Sequence, residues 1–174
     1  VPMPGDADDD KHAPRRRAAQ RQRGHRTVPH TADARFEAWG ISREECLAEA
    51  VLGMVECFAD LAGAEPGAVR QVRVTGRRDE DLLAALLEEV IFRLEVHGEV
   101  PVRVEVVSPG STAASSAATG GAAAGTGEVL AVRMAVTDLG SVPVAGAPPK
   151  AVSWSELSVA QALEGWSCAV TVDV

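Results

Sequence analysis

Two places in the chain carry residue types that suit a hard cation. One is the segment His30-Thr31-Ala32-Asp33, which precedes a run of strand character; the other is Asp173-Val174, where strand character persists to the last residue. An α-carboxylate is ionised at neutral pH, its unperturbed pKa being about 3.3 to 3.7. Held beside the Asp173 side chain, the Val174 carboxylate places two negative charges together, which repel unless something positive lies between them. Asp33 would supply a third carboxylate, completing an all-oxygen donor set of the kind calcium or magnesium takes. A solvated terminus and an ordinary turn aspartate fit the same spacing, so from spacing alone both readings stand.

Other catalytic constellations are absent from the sequence. It has no GxSxG elbow, no HExxH pair and no kinase motif set, and its histidines, His12, His25, His30 and His97, are scattered. His97 closes a helical run, where imidazole meets the negative end of the helix dipole, and this suits a cap better than an acid-base catalyst. Cys46, Cys57 and Cys168 are odd in number, lack CxxC spacing and lie in apolar periodic segments, as buried thiols of a reducing compartment do. Lys150, the only lysine outside the N-terminal tail, follows Pro148-Pro149. It reads either as a surface charge beside a turn or as a contact to a partner.

Positioning these residues falls to two helices and six strands. Ser42 with Glu45 three residues on forms a capping box, and Leu47, Ala50, Val51, Met54, Phe58 and Leu61 follow at helical spacing, predicting a helix to about Leu61. Cys46, Met54 and Cys57 then belong to its packing face. A second helix starts at Asp79-Glu80-Asp81, buries Leu82, Leu83, Leu86, Leu87, Val90, Ile91 and Leu94, and stops at Gly98. Strand patterns run over 34–39, 69–75, 102–107, 129–136, 151–159 and 166–172. The last four follow one another without a further helix. The expected fold is therefore a single α+β domain, a mostly antiparallel sheet with both amphipathic helices packed on one face. In the final strand Trp166, Cys168, Val170 and Val172 alternate with Ser167, Ala169, Thr171 and Asp173, which turns Asp173 away from the core.

Composition bounds the rest. Of 174 residues, 46% are apolar and 3% aromatic, enough for one core. Residues 1–24 hold six basic and four acidic side chains and almost nothing large and apolar, predicting a disordered tail. The segment 108–127, built of Ser, Pro, Gly, Thr and Ala alone, reads as a flexible insertion in the domain spanning 25–174. That domain carries 11 basic and 21 acidic residues, a balance that disfavours direct nucleic-acid binding and favours a cation or a basic protein surface. No apolar run is long enough to span a membrane and the N-terminus lacks a signal-like apolar core, so a cytoplasmic location is expected.

Several of these pieces, taken in order, resemble one family. His30-Thr31-Ala32-Asp33 with Phe36-Glu37-Ala38-Trp39-Gly40, the helix ending in Leu52-Gly53-Met54, Asp81-Leu82-Leu83, Lys150-Ala151-Val152-Ser153-Trp154, and Gly165-Trp166 through Val172-Asp173-Val174 together resemble archease over roughly residues 26–174. The resemblance implies a small non-enzymatic protein that binds a divalent cation, calcium first and magnesium or manganese as alternatives. It further implies a cofactor role for an RtcB-type RNA ligase, which joins 3′-phosphate to 5′-hydroxyl RNA ends in tRNA splicing or RNA repair. In the family, the helper promotes guanylylation of the ligase and its multiple turnover. Carried over residue by residue, the metal ligands are Asp33, Asp173 and Val174, the last through its terminal carboxylate. Lys150 matches the family lysine and is the candidate partner contact. Ser155 stands where many members have His, Ala34-Arg35 replaces a more apolar pair, and the 108–127 insertion is additional. A chaperone-like modulator of tRNA- or DNA-modifying enzymes such as methyltransferases is the alternative the resemblance allows. A small metal-dependent hydrolase built on Asp33 and Asp173 is a third reading, but no general base accompanies the pair.

Overall fold

Ser42 Oγ accepts from the Glu45 amide at 3.1 Å, and the Glu45 carboxylate accepts from the amides of Ser42 at 3.4 Å and Ile41 at 2.9 Å. This is the capping box anticipated from the sequence, a device worth about 1 kcal/mol. It opens helix α1 (Arg43–Glu56) in a computed structural model that describes residues 23–28, 33–108 and 127–174. The helix ends short of the expected Leu61. Beyond Glu56 the backbone leaves the helical ladder to pair with the 143–146 segment: Ala59 bridges Val144, Asp60 N–H donates to Pro143 O, and Ala145 N–H donates to Phe58 O, each of these two bonds 2.8 Å. Phe58 is buried all the same, so helical spacing outlasts the helix.

Helix α2 (Asp79–His97) starts at the acidic group and buries all seven predicted apolar residues. Asp81 accepts from the Arg77 and Arg78 amides at 3.2 and 3.0 Å. Gly98 ends it with φ 64°, a left-handed conformation that costs any other residue type more than glycine.

The strands are β1 (Gly24–Val28), β2 (Ala34–Gly40), β3 (Ala68–Gly76), β4 (Glu99–Val107), β5 (Glu128–Asp138), β6 (Ala151–Ala162) and β7 (Gly165–Asp173). Every registered pair is antiparallel. The expected α+β domain is what forms, with its strands divided between two sheets, β1-β2-β7-β6 and β3-β5-β4, and with β1 as a seventh strand. Each sheet turns one face to the helices. Cys168, Val170 and Val172 of β7 and Leu130, Val132, Met134 and Val136 of β5 are all buried. Helix α1 packs on β1, β2 and β7 of the first sheet and β4 of the second, α2 on β3 and β4 of the second and β6 of the first, so one core serves both. No helix among the described residues is long and apolar enough to cross a membrane. The tail expected over 1–24 lies outside the described residues up to position 22, and Gly24 already belongs to β1. The expected insertion joins the antiparallel neighbours β4 and β5; apart from Ser108 and Gly127, it also lies outside the described residues.

Arg43 secures the base of that insertion. Its guanidinium donates to Asp79 at 2.9 Å, to Glu128 at 2.5 and 2.9 Å and to Ser108 Oγ at 3.3 Å. One side chain at the start of α1 thus ties together the start of α2 and both ends of the β4–β5 connection.

Edge strand β1 is clasped to α1 by His25, whose Nδ1 lies 2.9 Å from Glu49 and Nε2 2.8 Å from Glu56. Gly53 makes the approach possible, since a Cβ there would sit 3.0 Å from His25 Cβ and 3.1 Å from the Phe36 ring. Both ring nitrogens face carboxylates, so both must carry protons to bond, and this is the imidazolium form. The Glu49 hydrogen bond first, then those with Glu56, raise the His25 pKa above 6.5 against an opposing effect of burial. Stabilisation from this clasp is complete below the unfolded value near 6.5 and is lost as pH rises through the higher folded value. Urea unfolding of the wild type and His25→Gln from pH 5 to 9 should therefore show a gap of about 1.5–3 kcal/mol on the acid side that narrows toward pH 9. A gap that widens with pH would mean the imidazole is held neutral.

Candidate metal centre

Strand β7 lies inside its sheet, paired with β2 on one side and β6 on the other. Its apolar alternation sets the register, because a one-residue slip would turn Cys168, Val170 and Val172 out of the core. The β2–β7 ladder ends at Ala34↔Val172. Asp33 and Asp173 are the next residues on these neighbouring strands. Asp173 pairs with Ala151 of β6, and its carbonyl accepts from the Lys150 amide at 2.8 Å. Asp33, Asp173, Val174 and Lys150 thus gather at one end of the four-stranded sheet, contributed by three strand ends 117 or more residues apart between Asp33 and the rest. Asp173 and Lys150 are exposed, while Asp33 and Val174 are half-buried.

Behind them sits a charged row. Arg35 and Thr171 are the adjacent pair on the same two strands, and Glu156 of β6 accepts from Arg35 Nη1 at 3.3 Å and from Thr171 Oγ1 at 2.6 Å. Glu156 reaches this row because β6 bulges between Ser153 and Ser158, the registered partners of Thr171 and Ala169. Neither Arg35 nor Glu156 belongs to the candidate set read from the sequence, where Arg35 enters only as a departure from the family pattern. The alternation of Arg35 and Glu37 with Phe36 and Ala38 was the available signal for Arg35. The β6 bulge that brings Glu156 in leaves no comparable trace.

The donors present are carboxylate oxygens, hard ligands suited to a divalent cation of the calcium or magnesium type. Among the described residues no three His, Cys, Asp or Glu side chains form a metal-holding group. The set expected from the sequence, Asp33, Asp173 and the Val174 α-carboxylate, is all-oxygen and would suit a hard cation.

The remaining candidates fall elsewhere. Cys46 and Cys168 are buried free thiols in the core, and Cys57 is a half-buried one whose Sγ donates to Gly53 O at 3.2 Å. Burial raises the Cys57 pKa, and Cys168 is raised by the neighbouring Cys46 thiol and then by burial, so neither serves as a ready thiolate. His97 stands in the last turn of α2, edge-on to the Phe92 ring at 5.9 Å. His25 belongs to the β1 clasp. His12, His30, Thr31 and Ala32 lie outside the described residues.

Comparison with known proteins bears on the family. Residues 25–174 match the family model described as the Archease protein family (MTH1598/TM1083). A probable protein archease of Mycobacterium tuberculosis (strain ATCC 25618 / H37Rv) is 45% identical over 153 residues, covering 87% of this chain and 75% of the relative. A protein archease of Methanosarcina barkeri is 28% identical over 147 residues, covering 84% and 93%. Among solved structures, the solution structure of protein 1598 of Methanobacterium thermoautotrophicum superposes with TM-score 0.66 at 22% identity, over 87% of this chain and 99% of that one. The crystal structure of a Thermotoga maritima archease, described as a possible chaperone, gives 0.51 at 18% identity, over 86% and 96%. These likenesses at low identity establish the shared fold, and the family match across the whole domain, with the 45% identical relative, establishes descent: the chain belongs to the archease family.

Proposed function

We propose that this protein is a non-catalytic, metal-binding cofactor of an RtcB-type 3′-phosphate RNA ligase, promoting guanylylation of the ligase and its repeated turnover in tRNA splicing or RNA repair. The observation that supports the reading is the β2–β7 register, whose last rung, Ala34↔Val172, leaves Asp33 and Asp173 as the next residues at the same end of the four-stranded sheet. In this reading Asp33, Asp173 and the α-carboxylate of Val174 hold a divalent cation, calcium first. When bound, the cation supplies charge neutralisation where three carboxylates would otherwise repel. The chain's own residues do the rest. The β6–β7 ladder fixes Asp173, Asp33 follows directly on the last rung of the β2–β7 ladder, the Lys150 amide pins the Asp173 carbonyl, and the exposed Lys150 ammonium is available to a partner's acidic group. An acidic domain with 21 acidic and 11 basic residues suits docking on a protein better than on RNA.

A chaperone-like modulator of tRNA- or DNA-modifying enzymes is the second reading, favoured by the description of the Thermotoga relative as a possible chaperone. Multiple-turnover ligation by a cognate ligase at substoichiometric enzyme separates the two. Stimulation is expected with the wild type, is expected to be lost with Asp33→Ala or Asp173→Ala, and is expected to fall with Lys150→Ala while calcium affinity holds. Absence of stimulation by folded, calcium-loaded protein refutes the ligase reading and moves the proposal to the chaperone one.

The donor set has its own check in calorimetry. Asp33→Asn and Asp173→Asn should each weaken calcium binding at least ten-fold, about 1.4 kcal/mol. A C-terminal extension, which converts the Val174 carboxylate to an amide, should do likewise. Equal affinity with the extension in place removes Val174 from the ligand set.

A further inference from the structure

Most arginines among the described residues are committed to internal ion pairs. Arg23, Arg26, Arg35, Arg43, Arg70, Arg78 and Arg93 each lie within 4.0 Å of a carboxylate. Of the four that have no such partner among the described residues, Arg77 is in the β3–α2 turn, while Arg73, Arg103 and Arg133 lie on the outward face of the β3-β5-β4 sheet. The register arranges these three on a diagonal. Arg73 is opposite Ala131, Arg133 is two residues further along β5 between Gln71 and Glu105, and Arg103 is opposite Ala135. Strand spacing and rise place successive guanidinium-bearing positions about 8 Å apart.

The opposite face of this sheet is the one buried on the helices, so the outward face has no covering layer among the described residues. Its other members are small and apolar or neutral: Val69 and Val129 are exposed, as are Val107 and Ala131, and Glu105 is the single acid on the face. Adjoining depressions of about 380 and 620 Å³ cross it, both bordered by Glu105 and Arg133. In a domain with ten more acidic than basic residues, a cluster of three unpaired arginines against one glutamate is a local reversal of sign. At physiological ionic strength charges beyond about 8 Å are screened, so a ligand meeting this face responds to the arginines rather than to the domain's net charge.

We infer that the outward face of the β3-β5-β4 sheet is a docking surface for an acidic, partly apolar segment of a partner protein, with Arg73, Arg103 and Arg133 binding its carboxylates. Charge complementarity carries the sign, and the composition carries the class. Arginine is enriched at protein–protein contact surfaces, where its planar fork pairs with carboxylates. A nucleic-acid strand crossing a sheet gains from aromatic stacking, and the face offers Val and Ala in its place. The site is on the other sheet from Asp33 and Asp173, so the inference stands whether or not the metal reading does.

The test is fluorescence anisotropy with the full chain and a labelled 12-residue peptide of alternating Glu and Val, against the same peptide with Lys for Glu and against a 12-nucleotide oligouridylate. The Glu-Val peptide should bind selectively, at least ten-fold more weakly to Arg73→Glu/Arg133→Glu. Glu105→Gln should strengthen binding two- to five-fold, a gain that unfolding cannot produce. Equal or tighter binding of the Lys peptide or the RNA, no binding of the Glu-Val peptide, or weakening by Glu105→Gln overturns the proposal. A concentration-dependent dimer abolished in the double variant also overturns it, because the occupant would then be a second copy.

Discussion

The two-sided pairing of β7 is the constraint on which the rest depends. A strand bonded on one edge alone can shift its register at the expense of a few ladder contacts, but β7 must satisfy β2 and β6 together while keeping Val170 and Val172, both fully buried, on the helix side. That requirement places Asp173 beyond the end of the β2–β7 ladder, level with Asp33, and next to Lys150 just before β6. The candidate site is therefore a by-product of core packing, since Asp173 follows the buried Val172 and Asp33 precedes Ala34, the two residues of the last rung of the ladder. Its parts are far apart along the chain, since Phe36 pairs with Val170, so it exists only once the long-range sheet has closed.

The second organising feature is how an acidic domain disposes of its positive charge. Arg43 is spent inside the molecule, bridging Asp79 and Glu128, and Arg70 and Arg93 converge on Glu99 from β3 and α2. Such half-exposed pairs contribute modestly to stability, yet each one fixes two elements in a defined relation. The Arg43 cluster holds the roots of the β4–β5 connection, which explains how a domain tolerates a long insertion there without disturbing the ladder on either side. Long loops add closure entropy only slowly with length, provided their ends are held.

The helices, the six longer strands and the alternation in β7 were legible because each is a local periodic pattern. Strand β1 was not, for Gly24-His25-Arg26-Thr27-Val28 has one large aliphatic residue and earns its place through tertiary contacts: the His25 clasp and the β2 ladder. The end of α1 was misplaced because Phe58 and Leu61 keep the helical spacing while the backbone is captured by residues 143–146. Division into two sheets is a matter of which strands meet, and no local pattern encodes that. At the site, Asp33 and Asp173 were named by motif and position and lie at the same end of the sheet, whereas the Arg35–Glu156–Thr171 row depends on a bulge in β6 that periodicity cannot announce. The sign reversal on the β3-β5-β4 face was equally hidden, since Arg73, Arg103 and Arg133 look like ordinary solvated strand positions until the register sets them on one diagonal.

The placement of the two carboxylates also limits what their neutralisation can do. Asp173 is exposed and Asp33 half-buried at the rim, with the core beginning at Val172. A ligand that binds the folded state alone stabilises it in proportion to the logarithm of its concentration over Kd, but here the gain would act on the last rungs of the β2–β7 ladder rather than on the interior. On the proposed reading, then, the cation orders one end of the sheet and the Lys150 segment bonded to it, leaving the fold itself to the hydrophobic core. A surface ordered by a dissociable ion and displayed at the tip of a rigid sheet is suited to presenting a shape to another macromolecule. It is poorly suited to enclosing a small substrate, because an exposed strand end offers no walls to exclude water.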